Sequence, residues 1–166
     1  SGGTSDRLQG FADTDLRSQR LQRAGGIGLI TATALSASVG DFDRFPSGRH
    51  FASSLGLTPR EHSSGNTRRL GRVTKRGDIY LRMLLIHGAR AVLRSAKLAR
   101  KKQQPLDRTH AWALALAERI GHNKAAVALA NKQARGAFGE IQLQDIVTAA
   151  LPPSAFALQV TLGNGA

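Results

Sequence analysis

Residues 78–102 read DIYLRMLLIHGARAVLRSAKLARKK, and this stretch decides the fold class. Leu81, Leu84, Leu85, Ala89, Val92 and Ala96 recur at three- and four-residue intervals, laying one apolar stripe along a helix. Arg90, Arg94, Lys97 and Lys101 fall at i, i+4, i+7 and i+11 and make a second, wholly cationic stripe. Downstream, Pro105 breaks the chain, and two alanine-rich helices follow over 107–120 and 124–138, separated by Gly121-His122-Asn123. A short helix over 140–150 precedes Pro152-Pro153, and the tail from Ser154 reads as irregular. Upstream, Leu8, Phe11, Leu16 and Leu21 predict a helix over 5–23, interrupted by Ala24-Gly25-Gly26-Ile27-Gly28. The helical period returns from Leu29 to Val39, with Gly40 as its stop. Ser47 is a good N-cap for a short helix through Leu55, ended by Gly56. Between 57 and 75 the chain has five Arg or Lys and few apolar positions, which reads as a long basic loop. The expected class is all-α: a helix–hairpin–helix, a long basic loop and a bundle of longer helices. The expected division is an N-terminal helical segment 1–23, a domain 24–139 and a partly irregular C-terminal extension 140–166.

At 166 residues the chain is long enough for one domain with a real core. With a single Trp112 and a single Tyr80, that core must rest on Leu, Ile, Val and Ala. Twenty-four Lys and Arg against eleven Asp and Glu leave a net charge of +13, which suits a polyanionic partner. Cysteine is absent, which excludes disulfides and thiolate metal sites and suits a reducing cytoplasm. No apolar run approaches membrane-span length and no signal peptide is visible, so a membrane is not an expected partner. The start at Ser1-Gly2-Gly3 rather than Met reads as a piece of a longer protein. Asp13 with Asp15, and Asp41 with Asp43, are paired carboxylates without a nearby third ligand. They read as helix-end or surface residues, and no metal site is expected in this chain.

Two segments carry candidate chemistry. Gly26-Ile27-Gly28 between two helices, with Thr31 and Ala32 opening the second, is the pattern of a helix–hairpin–helix. Glycines let the backbone come close to a ligand, and a helix N-terminus offers free N–H groups and a favourable dipole to phosphate. A simple packing turn between helices fits the same spacing. The second segment runs from Gly56 through Thr58-Pro59-Arg60-Glu61-His62-Ser63-Ser64-Gly65 into Arg68-Arg69-Leu70-Gly71-Arg72-Val73-Thr74-Lys75-Arg76-Gly77. Serine before glycine, ringed by guanidinium groups, suits attack on a phosphodiester, with His62 as a candidate base. On the residues alone, a solvated basic loop that contacts phosphate explains the segment more simply than a catalytic serine does.

In one order the chain holds Gly26-Ile27-Gly28 with Thr31-Ala32-Thr33-Ala34-Leu35, Arg44-Phe45-Pro46-Ser47, and the whole segment from Gly56 to Gly65. Thr74-Lys75-Arg76-Gly77, Leu81-Arg82, Leu84-Leu85, Gly121, Asn123-Lys124-Ala125-Ala126 and Ala130-Asn131-Lys132 follow. Over residues 15 to 138 this resembles the C-terminal domain of the DEDD insertion-sequence transposases, the family of the pilin-gene invertases and bridge-RNA-guided recombinases. The resemblance implies a serine that attacks DNA and holds it through a phosphoserine link before strand exchange. Ser64 takes that position, with Ser63 the weaker candidate. Arg60, Arg68, Arg69, Arg72, Lys75, Arg76 and Arg82 would contact nucleic acid, as would the hairpin positions Gly26, Gly28 and Thr31. The resemblance further implies a RuvC-like domain elsewhere, holding Mg on four acidic ligands, without which the isolated chain is inactive. DNA, a guide RNA and further copies of the full-length protein are the implied partners, acting at the nucleoid in a bacterial cytoplasm. Two departures stand out. Gly25 occupies the family's usual proline position, and Asn66-Thr67 follow Ser64-Gly65 where the family has Gly-Lys. Arg68 and Arg69 can supply the missing lysine charge. A non-catalytic helix–hairpin–helix module that binds DNA or RNA is the rival reading.

Overall fold

The computed structural model describes residues 3–150, and the side chains at 61–63, 68–70 and 144 stand outside that description. Among the described residues are seven helices and one two-stranded sheet, an all-α fold with a single β-hairpin. The order is α1 (Gly3–Thr14), α2 (Leu16–Leu21), α3 (Leu29–Ser38), α4 (Gly48–Ser54), β1 (Pro59–Ser64) and β2 (Thr67–Val73). Three longer helices follow: α5 (Ile79–Lys101), α6 (Arg108–Ile120) and α7 (His122–Ala150).

Helix α7 is the axis of the domain and packs against α2, α4, α5 and α6. Its buried positions explain how one helix serves four neighbours. Ala125, Ala126, Ala130, Ala134 and Ala137 let backbones approach closely, while Leu129, Phe138 and Ile141 fill the gaps. From α5 come Leu81, Leu85, Ala89, Leu93 and Ala96: four of the six expected stripe positions are buried, Leu84 and Val92 are only half-buried, and Leu93 is added. Phe51 of α4 is fully buried and collects three other rings, with centroids 5.3 Å from Phe42, 5.2 Å from Phe45 and 6.0 Å from Phe138. Asp78, Asp107 and Ser47 cap α5, α6 and α4 through their side chains, so the sequence marks these three starts directly.

Three expectations need correction. The helix expected over 5–23 is two helices, because Asp15 interrupts it and caps the second. The helices expected at 124–138 and 140–150 are one, α7, running through Gly136 and Gly139. A helical glycine costs only about 1 kcal/mol relative to alanine, and burial of Ala137, Phe138 and Ile141 on either side of Gly139 carries the helix across. The basic loop over 57–75 is largely a β-hairpin. The strand sequences PREHSS and TRRLGRV offer no apolar face to bury, so they lack the period-two alternation that marks a half-buried strand. The expectation for the tail from Ser154 falls outside the described residues.

Asp15 ties the N-terminal helices together. Its carboxylate accepts from the N–H groups of Arg17 and Ser18, both at 3.2 Å, and from the hydroxyls of Ser18 at 2.8 Å and Ser36 at 2.5 Å. Burial pushes the carboxyl pKa up, but these bonds, Ser36 first, outweigh it and hold the group below the ordinary aspartate value. A depressed folded-state pKa contributes stability above the unfolded value and loses it as pH falls through the folded one. Asp15→Ala is therefore expected to cost about 1 kcal/mol at neutral pH. Thermal melts should show that cost shrinking below the ordinary aspartate pKa; an equal cost at both pH values contradicts the assignment.

Candidate nucleic-acid interface

The hairpin stands on a tightly built root. Gly56, with φ +70°, and Gly77, with φ +95°, sit where the chain leaving the hairpin crosses the end of α4. A Cβ on Gly77 would lie 1.8 Å from the Ser54 carbonyl oxygen, and one on Gly56 would lie 2.2 Å from that of Arg76. The crossing is closed by N–H donation from Leu57 to Ala52 at 3.1 Å, Thr74 to Thr58 at 3.1 Å and Lys75 to Gly56 at 3.3 Å. Two side chains brace it. Asn131 of α7 donates through Nδ2 to the Leu57 carbonyl at 3.2 Å. Arg82 of α5 donates through Nη1 to the carbonyls of Leu55 and Arg76, both at 3.3 Å. Arg82 was expected to meet nucleic acid, and the structure places it on these backbone oxygens instead. The bracing role of Asn131 carries no local sequence signal, because its partner lies 74 residues away.

Above the root, β1 and β2 pair antiparallel, with Ser64 opposite Thr67, Ser63 opposite Arg68, His62 opposite Arg69 and Pro59 opposite Val73. The register shifts between Pro59 and Glu61, so Arg60 faces the stretch Gly71-Arg72. Such irregularities re-aim side chains and strengthen the local twist. The result is an open pocket of about 410 Å³ lined by Arg60, Arg72, Val73, Thr74 and Lys75. Three cations and no carboxylate line it. Lys75 adopts φ +54°, a left-handed conformation uncommon for a side-chain-bearing residue. The Thr58 and Thr74 hydroxyl oxygens are buried without a hydrogen-bond partner. Arg76 is exposed next along the chain. The structure thus brings Arg60, Arg72 and Lys75 together.

Ser64 ends β1 at the exposed tip. Gly65, with φ +62° and nothing within 4 Å of an added Cβ, opens a two-residue turn with Asn66. Four strand steps separate Ser64 from Arg60, about 13 Å at the usual rise per residue. A phosphate at the tip and a phosphate in the root pocket are therefore different groups. The expected roles of the His62, Ser63, Arg68 and Arg69 side chains fall outside the described residues.

The glycine turn joins α2 to α3, and its two expected contact residues differ in surroundings. A Cβ on Gly26 would lie 1.8 Å from Gln133 Nε2 and 2.9 Å from a Val92 methyl, and the Gly26 carbonyl lies against Gly88. Gly26 is thus a packing residue between α5 and α7. Gln133, which sequence reasoning did not single out, is buried against it with neither amide atom partnered. Gly28 is open: it caps α3 in extended conformation without a side-chain bond, and nothing lies within 4 Å of an added Cβ. Thr31 is buried, with 7% exposure, and its side chain belongs to the core rather than to a ligand surface.

Among the described residues no three His, Asp or Glu side chains gather as a metal site, and no helix is long and apolar enough to cross a membrane. Asp41 accepts from the Asp43 N–H at 2.9 Å, and Asp13 from the Gln9 amide at 2.9 Å.

A profile of the IS116/IS110/IS902 transposase family matches residues 18–104. The chain is 50% identical over 129 residues to a probable family 20 transposase of Pseudomonas aeruginosa, covering 78% of this chain and 36% of that protein. It is 44% identical over 133 residues to the transposase for insertion sequence element IS1111A of Coxiella burnetii, covering 80% and 35%. It is 38% identical over 133 residues to the transposase for element IS1328 of Yersinia enterocolitica, covering 77% and 36%. The chain thus spans about a third of the length of these relatives. The profile covers the glycine turn, the basic hairpin and all of α5, and the chain belongs to the IS116/IS110/IS902 transposase family.

Proposed function

We propose that this chain is the DNA-binding, nucleophile-bearing part of a transposase that cuts and rejoins DNA through a phosphoserine link. The hairpin carries the reading: an exposed Ser64 at a glycine turn, on a rigid root whose pocket gathers Arg60, Arg72 and Lys75. In the step proposed, the Ser64 hydroxyl oxygen attacks a DNA phosphorus. One P–O ester bond forms on serine, one to the leaving strand breaks, and the serine proton passes to the leaving oxygen. Ester count is conserved, so the hydroxyl of a new strand can reverse the step and free the serine without an external energy source. The three root cations hold a neighbouring phosphate and fix the strand, which is positioning rather than chemistry. Serine is a weak nucleophile at its ordinary pKa and needs activation. Mg, proposed to be held by acidic residues of a RuvC-like domain elsewhere in the full-length protein, would supply Lewis-acid help at the scissile phosphate. Gly28 and the open first turn of α3 offer a second, backbone-only phosphate contact. A guide RNA and association of full-length copies belong to the same proposal.

Salt dependence of duplex binding tests the pocket. Each neutralised phosphate contributes about −0.9 to the slope of log K against log salt. Replacing Arg60, Arg72 and Lys75 together with alanine should make the slope shallower by roughly 2.7. An unchanged slope, with the variant still folded, removes the pocket from the interface. Binding without any covalent adduct in the full-length protein would leave the non-catalytic module as the better reading.

A further inference from the structure

Helix α5 presents a second surface that the hairpin does not use. Tyr80, Met83, His87, Arg90, Arg94, Lys97 and Lys101 follow one another at three- and four-residue steps and so share one face. All are exposed except Arg90, which is half-buried. At the N-terminal end the face is apolar and aromatic: Ile79 is 72% exposed, Tyr80 52% and Met83 45%. Toward the C-terminal end it is cationic. Among the described residues, Arg90, Arg94 and Lys101 make no ion pair or hydrogen bond, and Lys97 touches only His122, at 3.4 Å between Nζ and Nδ1. The nearby acids have other tasks. Asp78 caps the helix through the Leu81 N–H at 2.9 Å, and Glu118 pairs with Arg100, off this face. Among the described residues two other large aromatics are exposed: Trp112 is already covered by Lys132, 5.7 Å from its ring centre, and Phe11 lies on α1, away from this cationic face.

We propose that this face of α5 is a track for an unpaired DNA strand, with Tyr80 as the platform for one base and the cations along its backbone. The inference rests on the reading of the chain as part of a DNA-rejoining protein, because a strand that changes partners must first leave its complement. A row of cations attracts duplex and single strand alike. An exposed phenol ring beside Met83 and Ile79 does not: it gains a stacking partner only from a base that has left its own stack. From Tyr80 to Lys101 the helix rises about 31 Å, the reach of up to about nine nucleotides at B-form spacing. The track begins where the hairpin root ends, at Arg76 and Gly77, so a strand leaving the pocket meets Tyr80 next along the chain.

Fluorescence anisotropy with labelled DNA of about 12 nucleotides, single-stranded and as the matching duplex, separates the alternatives. Tyr80→Ala should weaken single-strand binding roughly tenfold and leave duplex binding nearly unchanged, while Tyr80→Phe keeps the wild-type preference. Arg90→Ala with Arg94→Ala should make the single-strand salt slope shallower by about 1.4. A Tyr80→Ala variant that binds single strand normally, or loses duplex in the same proportion, overturns the track. So does tighter binding of single-stranded RNA of the same sequence, which would assign the face to RNA. These failures leave the hairpin pocket standing; wild-type protein that binds neither form at low salt removes the pocket reading as well. The Tyr80 ring is exposed, so a melting temperature near wild type is expected for both tyrosine variants.

Discussion

Ser64→Ala in the full-length protein is expected to bind DNA nearly as wild type does and to form no covalent protein–DNA adduct. The expectation follows from where the residue sits. Ser64 is at an exposed tip, Gly65 beyond it presents no side chain, and the root cations lie about 13 Å away along the strand. Deleting one hydroxyl therefore removes the attacking atom without touching the groups that hold the strand. Arg60→Ala should behave differently, weakening binding and with it the rate at subsaturating DNA, because its guanidinium holds ground state and transition state alike. Ser63→Ala should keep at least partial activity, since its neighbour Ser64 directly precedes the glycine that lets phosphate approach. A denaturing gel of labelled DNA with each variant reads all three. A normal adduct from Ser64→Ala, or one lost only with Ser63→Ala, moves the nucleophile.

The second large effect is structural. Gly77→Ala should unfold the hairpin root. The added Cβ would meet the Ser54 carbonyl oxygen at 1.8 Å, and φ +95° is a conformation that alanine rarely adopts. The obstacle is backbone at the end of a packed helix, so it cannot swing aside as a side chain would. A cost of about 3 kcal/mol or more is expected. Gly65→Ala is the control, with a similar positive φ but open surroundings, and should cost only about 1–2 kcal/mol. Urea denaturation of the two variants measures the difference. Equal costs would mean that the Gly56–Gly77 crossing is looser than its geometry states.

The contrast between α5 and the hairpin explains what the sequence disclosed. Helix α5 buries one side, so burial imposed a period that Leu81, Leu85 and Ala89 display in order, and Asp78 announced its start. The hairpin sequence has few apolar residues to bury, and its strands accordingly read as loop. The one legible sign was Ser64-Gly65-Asn66-Thr67, where Gly-Asn between two segments is a two-residue hairpin turn. The candidate serine and the basic character of its surroundings were visible because they are composition and order. The convergence of Arg60, Arg72 and Lys75 depends on strand register, and the diversion of Arg82 to carbonyls of Leu55 and Arg76 depends on a chain crossing. Neither has a local signature. The glycine turn divides likewise: its spacing was legible, but only three-dimensional packing separates a wedged Gly26 from an open Gly28.

The central claim, that Ser64 is the atom bearer of a DNA phosphate, is tested most directly by locating the bond. Full-length protein trapped on DNA, digested with nuclease and trypsin, yields the peptide Glu61-His62-Ser63-Ser64-Gly65-Asn66-Thr67-Arg68. The account predicts that fragmentation in the mass spectrometer places the added nucleotide on Ser64. A nucleotide on Ser63, or on any residue outside this peptide, would contradict it.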